Sequence, residues 1–410
     1  MSDEDNQIPS ALVAVGTKAL AVRSATLAKR GLALATSLQR DDAAAHYNLG
    51  VALDQQGDWD GAIAEYRTAI CREPDNALAH DNLGIALYNK GDLRGALEEF
   101  RAAIRLQPDD AEAHYNLGNA LRPKGDLDGA IAQWRTAIRL EPDLVEAHYG
   151  LGNALHDKGD LDGAVTEYRA AIRLQPNHAA AHHNLGDALD DKGDLDGAIA
   201  AWRTAIGLRP DLVEAHYNLG IALYRKGDLD GAIAEYRAAI RLQPDDADAH
   251  RNLGNVLRHN GDLDGAIAEF RAAIRLQPDD AVAHRGLGAA LYKRGGLDEA
   301  IAEFRTAIRL QPNHAAAHCN LGVALSRQGD VDGAIAEYRA AIRLLPDFAY
   351  AHNALGVALK DKGDLDGAIA EYRTALRLQP DYALAHCNLG RALEMKGDRL
   401  AALDEIEKAR

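Results

Sequence analysis

Eleven of the sixteen histidines stand in one setting, Ala-His-x-[Asn/Gly/Ala]-Leu-Gly, which returns every 34 residues from Ala45-His46 through Ala79-His80 to Ala385-His386 without insertion or deletion. Histidine ligates metals and carries protons, so such a row first suggests zinc coordination or general acid–base chemistry. The spacing argues against a metal. Equivalent atoms of stacked units lie one helix pair apart, roughly 8–10 Å, whereas co-ligands of one zinc each lie about 2 Å from it. The expected role is packing between helices, with the imidazole neutral and one ring nitrogen hydrogen-bonded. Burial would then lower the histidine pKa below about 6.5 and the fold would lose stability on acidification. No nucleophile elbow, phosphate-binding glycine loop or HExxH motif occurs. The expectation is a chain that is not an enzyme and takes no cofactor or metal.

The elements that position these residues follow from one copy, counting Ala111 as slot one. Ala113, His114, Leu117, Gly118 and Leu121 recur at three- and four-residue steps, which predicts helix A from about Ala111 to Lys124. Gly125 ends it, Asp126 and Asp128 offer N-cap oxygens, and helix B is predicted from about Asp128 to Glu141, with Ala130, Ile131, Trp134, Ala137, Ile138 and Leu140 as its apolar stripe. A unit with two apolar stripes cannot bury either alone, so it stacks on its neighbours. The fold class is all-α, a helical solenoid of eleven tandem 34-residue units over residues 43–410, the last one truncated. Residues 10–42 keep the same phase, since Ala11 to Gly16 precede Ala45 to Gly50 by 34, and are expected to form a degenerate capping repeat behind a disordered acidic leader, residues 1–9. The apolar run Ala11 to Val15 is not read as a signal peptide, because the leader is acidic and Lys18 and Arg23 interrupt it.

Lys and Arg total 46 against 62 Asp and Glu, a net charge of −16, which repels a phosphate backbone and makes nucleic acid a poor partner. Cys71, Cys319 and Cys387 lie far apart without paired spacing. That fits a reducing, cytoplasmic compartment, and no membrane association is expected.

With Gly at slot eight, Ala at slot twenty, an aromatic at slot twenty-four and Pro at slot thirty-two (Gly118, Ala130, Trp134, Pro142), the chain resembles the tetratricopeptide repeat family from about Ala43 to its end. Two slots depart from the family pattern: His replaces the aromatic at slot four, and Leu the aromatic at slot eleven. The resemblance implies a right-handed superhelix. The slot-six asparagines (Asn48, Asn82, Asn116, Asn184, Asn218, Asn252, Asn320, Asn388) are similar to the asparagine ladder lining the superhelix of O-GlcNAc transferase, which implies a groove that holds an extended peptide by its backbone.

In that family slots two, five, nine, twelve and thirteen of helix A face the groove, and here they vary most. Copies six to eight bring Tyr217, Tyr224, Arg225, Arg251, Asn255, Arg258, Arg285, Tyr292 and Lys293, a basic and aromatic stretch inside an acidic protein. It suits an acidic or aromatic peptide through charge-assisted hydrogen bonds and stacking. The arginines are not expected to be needed for the fold; free drift of solvent positions is the competing explanation. A carboxylate clamp like that of the family's co-chaperones is not expected, because Gly286, Cys319 and Val323 stand where its Asn and cations belong. The expected function is a protein–protein interaction scaffold binding a peptide or protein segment. The alternatives are a self-assembling homo-oligomer or filament and a regulatory subunit of a separate catalytic chain. Asp404, Glu405, Glu407 and Lys408 make the last helix read as a polar cap, which favours a closed monomer or small oligomer over open assembly.

Overall fold

The structure is a computed structural model and describes residues 42–409; the expected leader and capping repeat fall outside that range. Among the described residues there are twenty-two α-helices and no strand. They belong to two compact units, divided in sequence between Pro210 and Asp211. The first holds α1 (Ala43–Asp54), α2 (Trp59–Arg72), α3 (Ala77–Asn89), α4 (Leu93–Leu106), α5 (Ala111–Leu121), α6 (Leu127–Leu140), α7 (Val145–Asp157), α8 (Leu161–Leu174), α9 (Ala179–Asp191) and α10 (Leu195–Leu208). The second holds α11 (Val213–Arg225), α12 (Leu229–Leu242), α13 (Ala247–Asn260), α14 (Leu263–Leu276), α15 (Ala281–Arg294), α16 (Leu297–Leu310), α17 (Ala315–Gln328), α18 (Val331–Leu344), α19 (Ala349–Asp361), α20 (Leu365–Leu378), α21 (Ala383–Lys396) and α22 (Arg399–Lys408). Within each unit odd-numbered helices are A and even-numbered ones B. Each A packs on its own B, each B on the next A, and successive A helices touch, as in a solenoid. No described helix is long and apolar enough to cross a membrane.

The pairs form because slot eight is bare. A Cβ added at Gly118 would lie 2.7 Å from the Trp134 ring, and one at Gly50 would lie 2.6 Å from Tyr66. The slot-twenty-four rings therefore rest against backbone, and Trp134, Trp202, Tyr66 and Tyr168 are almost fully buried. Beside them slot-twenty alanines such as Ala62 and Ala130 have no exposed surface. Between the helices Gly125 adopts φ 83°, a left-handed conformation that side chains with a Cβ resist. Asp126 then caps α6 by accepting the Gly129 amide at 2.9 Å.

Two predicted boundaries shift. Helix B of this copy begins at Leu127 rather than Asp128, with Asp126 alone as cap, while the Asp128 carboxylate meets Lys158 of the next copy. Helix A stops at Leu121 and continues as a 3-10 turn over Arg122–Lys124, because Pro123 has no N–H to give the carbonyl four residues earlier.

Most of the slot-four histidines are bonded at both ring nitrogens. His148 Nδ1 lies 2.6 Å from Glu167 Oε2 of helix B, and its Nε2 lies 3.1 Å from the Pro142 carbonyl of the preceding copy. A carbonyl oxygen only accepts, so Nε2 carries a proton and the imidazolium form fits the carboxylate at Nδ1. The same pair of bonds recurs at His80, His250, His284, His318, His352 and His386. Copy five differs: slot twenty-three is Ala201, and His182 keeps its contact with the Pro176 carbonyl at 3.0 Å. The expectation of a neutral imidazole with a lowered pKa is thus wrong for His148. The Glu167 hydrogen bond raises that pKa above its ordinary value against the opposing effect of burial.

A raised histidine pKa contributes stability that is fully present below the unfolded value and is lost as pH rises through the folded one. Replacing Glu167 by Gln is therefore expected to destabilise the fold by about 1 kcal/mol near pH 6, with the deficit shrinking toward pH 8. Urea unfolding of the variant and wild type across that range checks the sign. For packing, Gly118→Ala should cost about 1–3 kcal/mol by forcing Cβ into the Trp134 ring. Gly207→Ala, where nothing lies within 4 Å of the added Cβ, should stabilise by about 0.5–1 kcal/mol. Equal shifts of the urea midpoint in the two variants would contradict this account of slot eight.

Candidate functional site

The slot-six asparagines lie half-buried on the helix-A face, and most of those whose contacts are resolved spend an amide hydrogen on the slot-five side chain of the preceding copy. In the first unit Asn82 Nδ2 donates to the Tyr47 hydroxyl at 2.8 Å, Asn116 to the Asp81 carboxylate at 3.1 Å, and Asn184 to the Tyr149 hydroxyl at 3.0 Å. In the second, Asn252 donates to the Tyr217 hydroxyl at 2.8 Å and Asn388 to Asn353 Oδ1 at 3.0 Å. Asn48 and Asn218 lie half-buried on the same face. The ladder ties one copy to the next. Asp81 shows the electrostatic result: burial raises its pKa to about 7 although the Asn116 bond opposes the shift.

Gly150 and Gly286 interrupt the ladder, and a cavity adjoins each. In the first unit a cavity of about 570 Å³ is lined by Tyr88, Arg122, Trp134, Gly150 and Asp157 among others. Its charges are matched, with Arg122 Nη2 2.8 Å from Asp157 Oδ2. The cavity beside Gly286 measures about 320 Å³ and gathers Arg258, Arg285, Tyr292 and Lys293. The structure thus brings these four expected site residues together. Tyr217, Tyr224, Arg225, Arg251 and Asn255 do not line it.

Arg251 is a structural residue, contrary to expectation. Its Nη1 is 2.7 Å from Asp280 Oδ2, and it also pairs with Asp248. Buried Asp280 in turn caps α15, accepting the Val282 and Ala283 amides at 2.8 and 3.0 Å. Burial works to raise the Asp280 pKa, but the Arg251 bond and charge and the capped amides hold it below the ordinary carboxylate value.

Arg258 and Arg285 have no such partners. Both are half-buried, and the Nε–H of each is buried without a hydrogen-bond acceptor. Burial lowers both guanidinium pKa values, and the Arg258 charge lowers that of Arg285 further. Arg258 Nη2 lies 3.2 Å from His259 Nε2, and His259 Nδ1 lies 2.5 Å from the Tyr224 hydroxyl. Burial, Arg258 and Lys293 depress the His259 pKa, consistent with a neutral ring accepting from Arg258. Tyr292 lies under the Arg327 guanidinium, 5.1 Å from ring centroid to Cζ.

Asn320 and Tyr350 also line this cavity and were absent from the expected stretch. Both had a sequence signal: Asn320 continues the ladder at slot six, and Tyr350 occupies slot two of copy ten. No group of three or more His, Cys, Asp or Glu side chains among the described residues is arranged to hold a metal ion.

Comparisons with known proteins agree with the helix-pair architecture. A sequence model of the tetratricopeptide repeat matches residues 183–247, 230–281 and 285–349. A second, of the TPR repeat, matches 55–91, 86–122, 118–159, 152–190 and 358–397. A search of curated proteins gives no match. Among solved structures, the Cut9–Hcn1 hetero-tetramer of APC/C is similar in fold at 17% identity and TM-score 0.50, over 94% of this chain and 90% of that one. YrrB, described as a TPR protein with an unusual peptide-binding site, aligns at 28% identity and TM-score 0.43 over 46% of this chain and 97% of its own. MamA aligns at 29% and 0.36 over 38% and 92%. With its helix pairs in register and repeat matches along most of its length, the chain belongs to the tetratricopeptide repeat family.

Proposed function

We propose that this chain is a non-catalytic scaffold that binds an extended, acidic segment of a partner protein on the helix-A face of the second unit. Tetratricopeptide repeat proteins generally mediate protein–protein interactions. What supports the particular surface is the pair Arg258 and Arg285, half-buried cations with no acidic partner among the described residues. Exposed Lys293 and Arg225 extend the basic surface, while Tyr217, Tyr224 and Tyr292 supply aromatic faces. Asn252 and Asn255 offer side-chain amides to a peptide backbone. Arg251 serves by holding the Asp280 cap in place.

Replacing Arg258 and Arg285 together by Gln is expected to weaken capture of Asp- and Glu-rich peptides on an array by about tenfold or more, with a smaller loss at high salt. Arg101, Arg135 and Arg169, all exposed on helix B, replaced in the same way should change capture little. Greater loss with this outer triple would move the working surface to the other face. Replacing Arg251 by Ala should instead lower the melting temperature, because it strips a buried carboxylate of its counter-ion.

A second reading, assembly with copies of itself, draws on α21 and α22. On α22 Leu400 is 84% and Leu403 66% exposed, beside Met395 of α21 at 63%. Sedimentation velocity decides it: concentration-dependent association that Leu400→Glu with Leu403→Glu abolishes would support assembly, and a single slow species at all concentrations would exclude it.

A further inference from the structure

The cavity beside Gly286 has a more specific chemistry than a basic surface. Slot six is Gly here, and a Cβ at that position would lie 2.4 Å from the Phe270 ring, so that ring packs on bare backbone and the position carries no ladder amide. Arg258 enters from α13, Arg285 and Lys293 from α15, Asn320 from α17 and Tyr350 from α19. Three cations therefore share one cavity of about 320 Å³.

Neither arginine makes an ion pair with a carboxylate among the described residues, whereas Arg251, about two turns before Arg258 on α13, makes two. The buried Nε–H groups of Arg258 and Arg285 lack acceptors. Both guanidiniums keep their charge, because arginine does not lose its proton in proteins. The nearby His314 ring is no substitute counter-ion: its Nδ1 accepts the Ala317 amide, and burial and Arg285 both depress its pKa. Charge desolvated in this way without compensation opposes folding, so the cavity is complementary to an anion.

The number of cations selects among anions. A carboxylate brings one charge and two oxygens. A phosphate monoester brings nearly two charges at neutral pH and three strong acceptor oxygens, and planar guanidiniums match it bidentately. Asn320, Tyr292 and Tyr350, which also line the cavity, bring neutral donor groups. We propose that the cavity formed by Arg258, Arg285 and Lys293 beside Gly286 is a binding site for a phosphate monoester dianion. The site deepens the scaffold reading, on which it rests for its role, by making a phosphorylated partner segment its preferred occupant.

The test uses the full chain and follows its melting temperature at constant ionic strength while inorganic phosphate, O-phosphoserine or acetate replaces chloride. Phosphate and O-phosphoserine should raise the midpoint saturably, and acetate should not. Arg285→Gln should shift the phosphate response at least about tenfold to higher concentration. In phosphate-free buffer it should also melt at or above the wild-type temperature, since it relieves one of two neighbouring desolvated charges. Arg258→Gln should behave likewise, and Arg101→Gln should keep the full response. Tighter binding of a phosphoserine peptide than of inorganic phosphate would identify a modified side chain as the source, and the reverse order a free phosphate compound. No response beyond chloride, equal stabilisation by acetate, or an unchanged response in both arginine variants would overturn the site. Binding of unphosphorylated acidic peptides without a phosphate response would sink this inference and leave the scaffold reading standing. A phosphate response without any peptide capture would do the opposite.

Discussion

The contact between a bare glycine backbone on helix A and an aromatic face on helix B sets the geometry of every full copy. The Cβ that slot eight lacks would fall within about 3 Å of the slot-twenty-four ring at each of them, so the ring fills what would otherwise be side-chain volume. The ring in turn needs a flat floor, which slot-twenty alanines with no exposed surface provide. In the last copy Ile406 takes the ring's place over Gly390, with a closest approach of 2.8 Å. Dense packing of this kind leaves the helix pair little freedom to slide, and the left-handed glycine after helix A fixes where the chain reverses. Each copy then offers its neighbours nearly the same two surfaces.

Polar bonds join the copies where apolar packing ends. The slot-four imidazole reaches its own helix B through a carboxylate and the previous copy through a proline carbonyl, so one ring spans the junction. The slot-six amides make a second line of bonds on the helix-A face. These groups sit at the edge of the packed layer, where a hydrogen bond is strengthened by partial burial and an unmade one is costly. The ladder thus ties copy to copy, and its amides are oriented by the tyrosines and carboxylates of the neighbouring copy.

Most of the fold was legible in the sequence, because a 34-residue period with glycine, alanine and aromatic at fixed slots leaves one way to bury both stripes. The helix starts were off by a residue where two aspartates competed for the cap, and the 3-10 turn at Arg122–Lys124 required weighing one proline against a strong period. The charge of His148 was misread for a different reason. Its partner Glu167 is nineteen residues away on the other helix, and burial read from the apolar period alone gives the opposite sign. The same blindness made Arg251 look free, since Asp280 lies twenty-nine residues on, at the head of the next helix A. Arg258 and Arg285 were picked out by their slots, but only the packed structure separates cations with a carboxylate from cations without one.

Copy five departs from its neighbours in two ways that bear on motion. His182 has no glutamate across from it because slot twenty-three is Ala201, and Gly207 stands inside α10 where the copies on either side carry Arg173 and Arg241. In an array where each copy is held only by those beside it, opening begins where local stability is least. Among the internal copies, copy five is thus expected to be a weak rung, where amide protons exchange sooner than in the copies beside it. In so regular an array, a copy that lacks both the cross-helix acceptor and a helix-favouring residue at the end of its second helix is where cooperativity between the two sides is expected to be weakest.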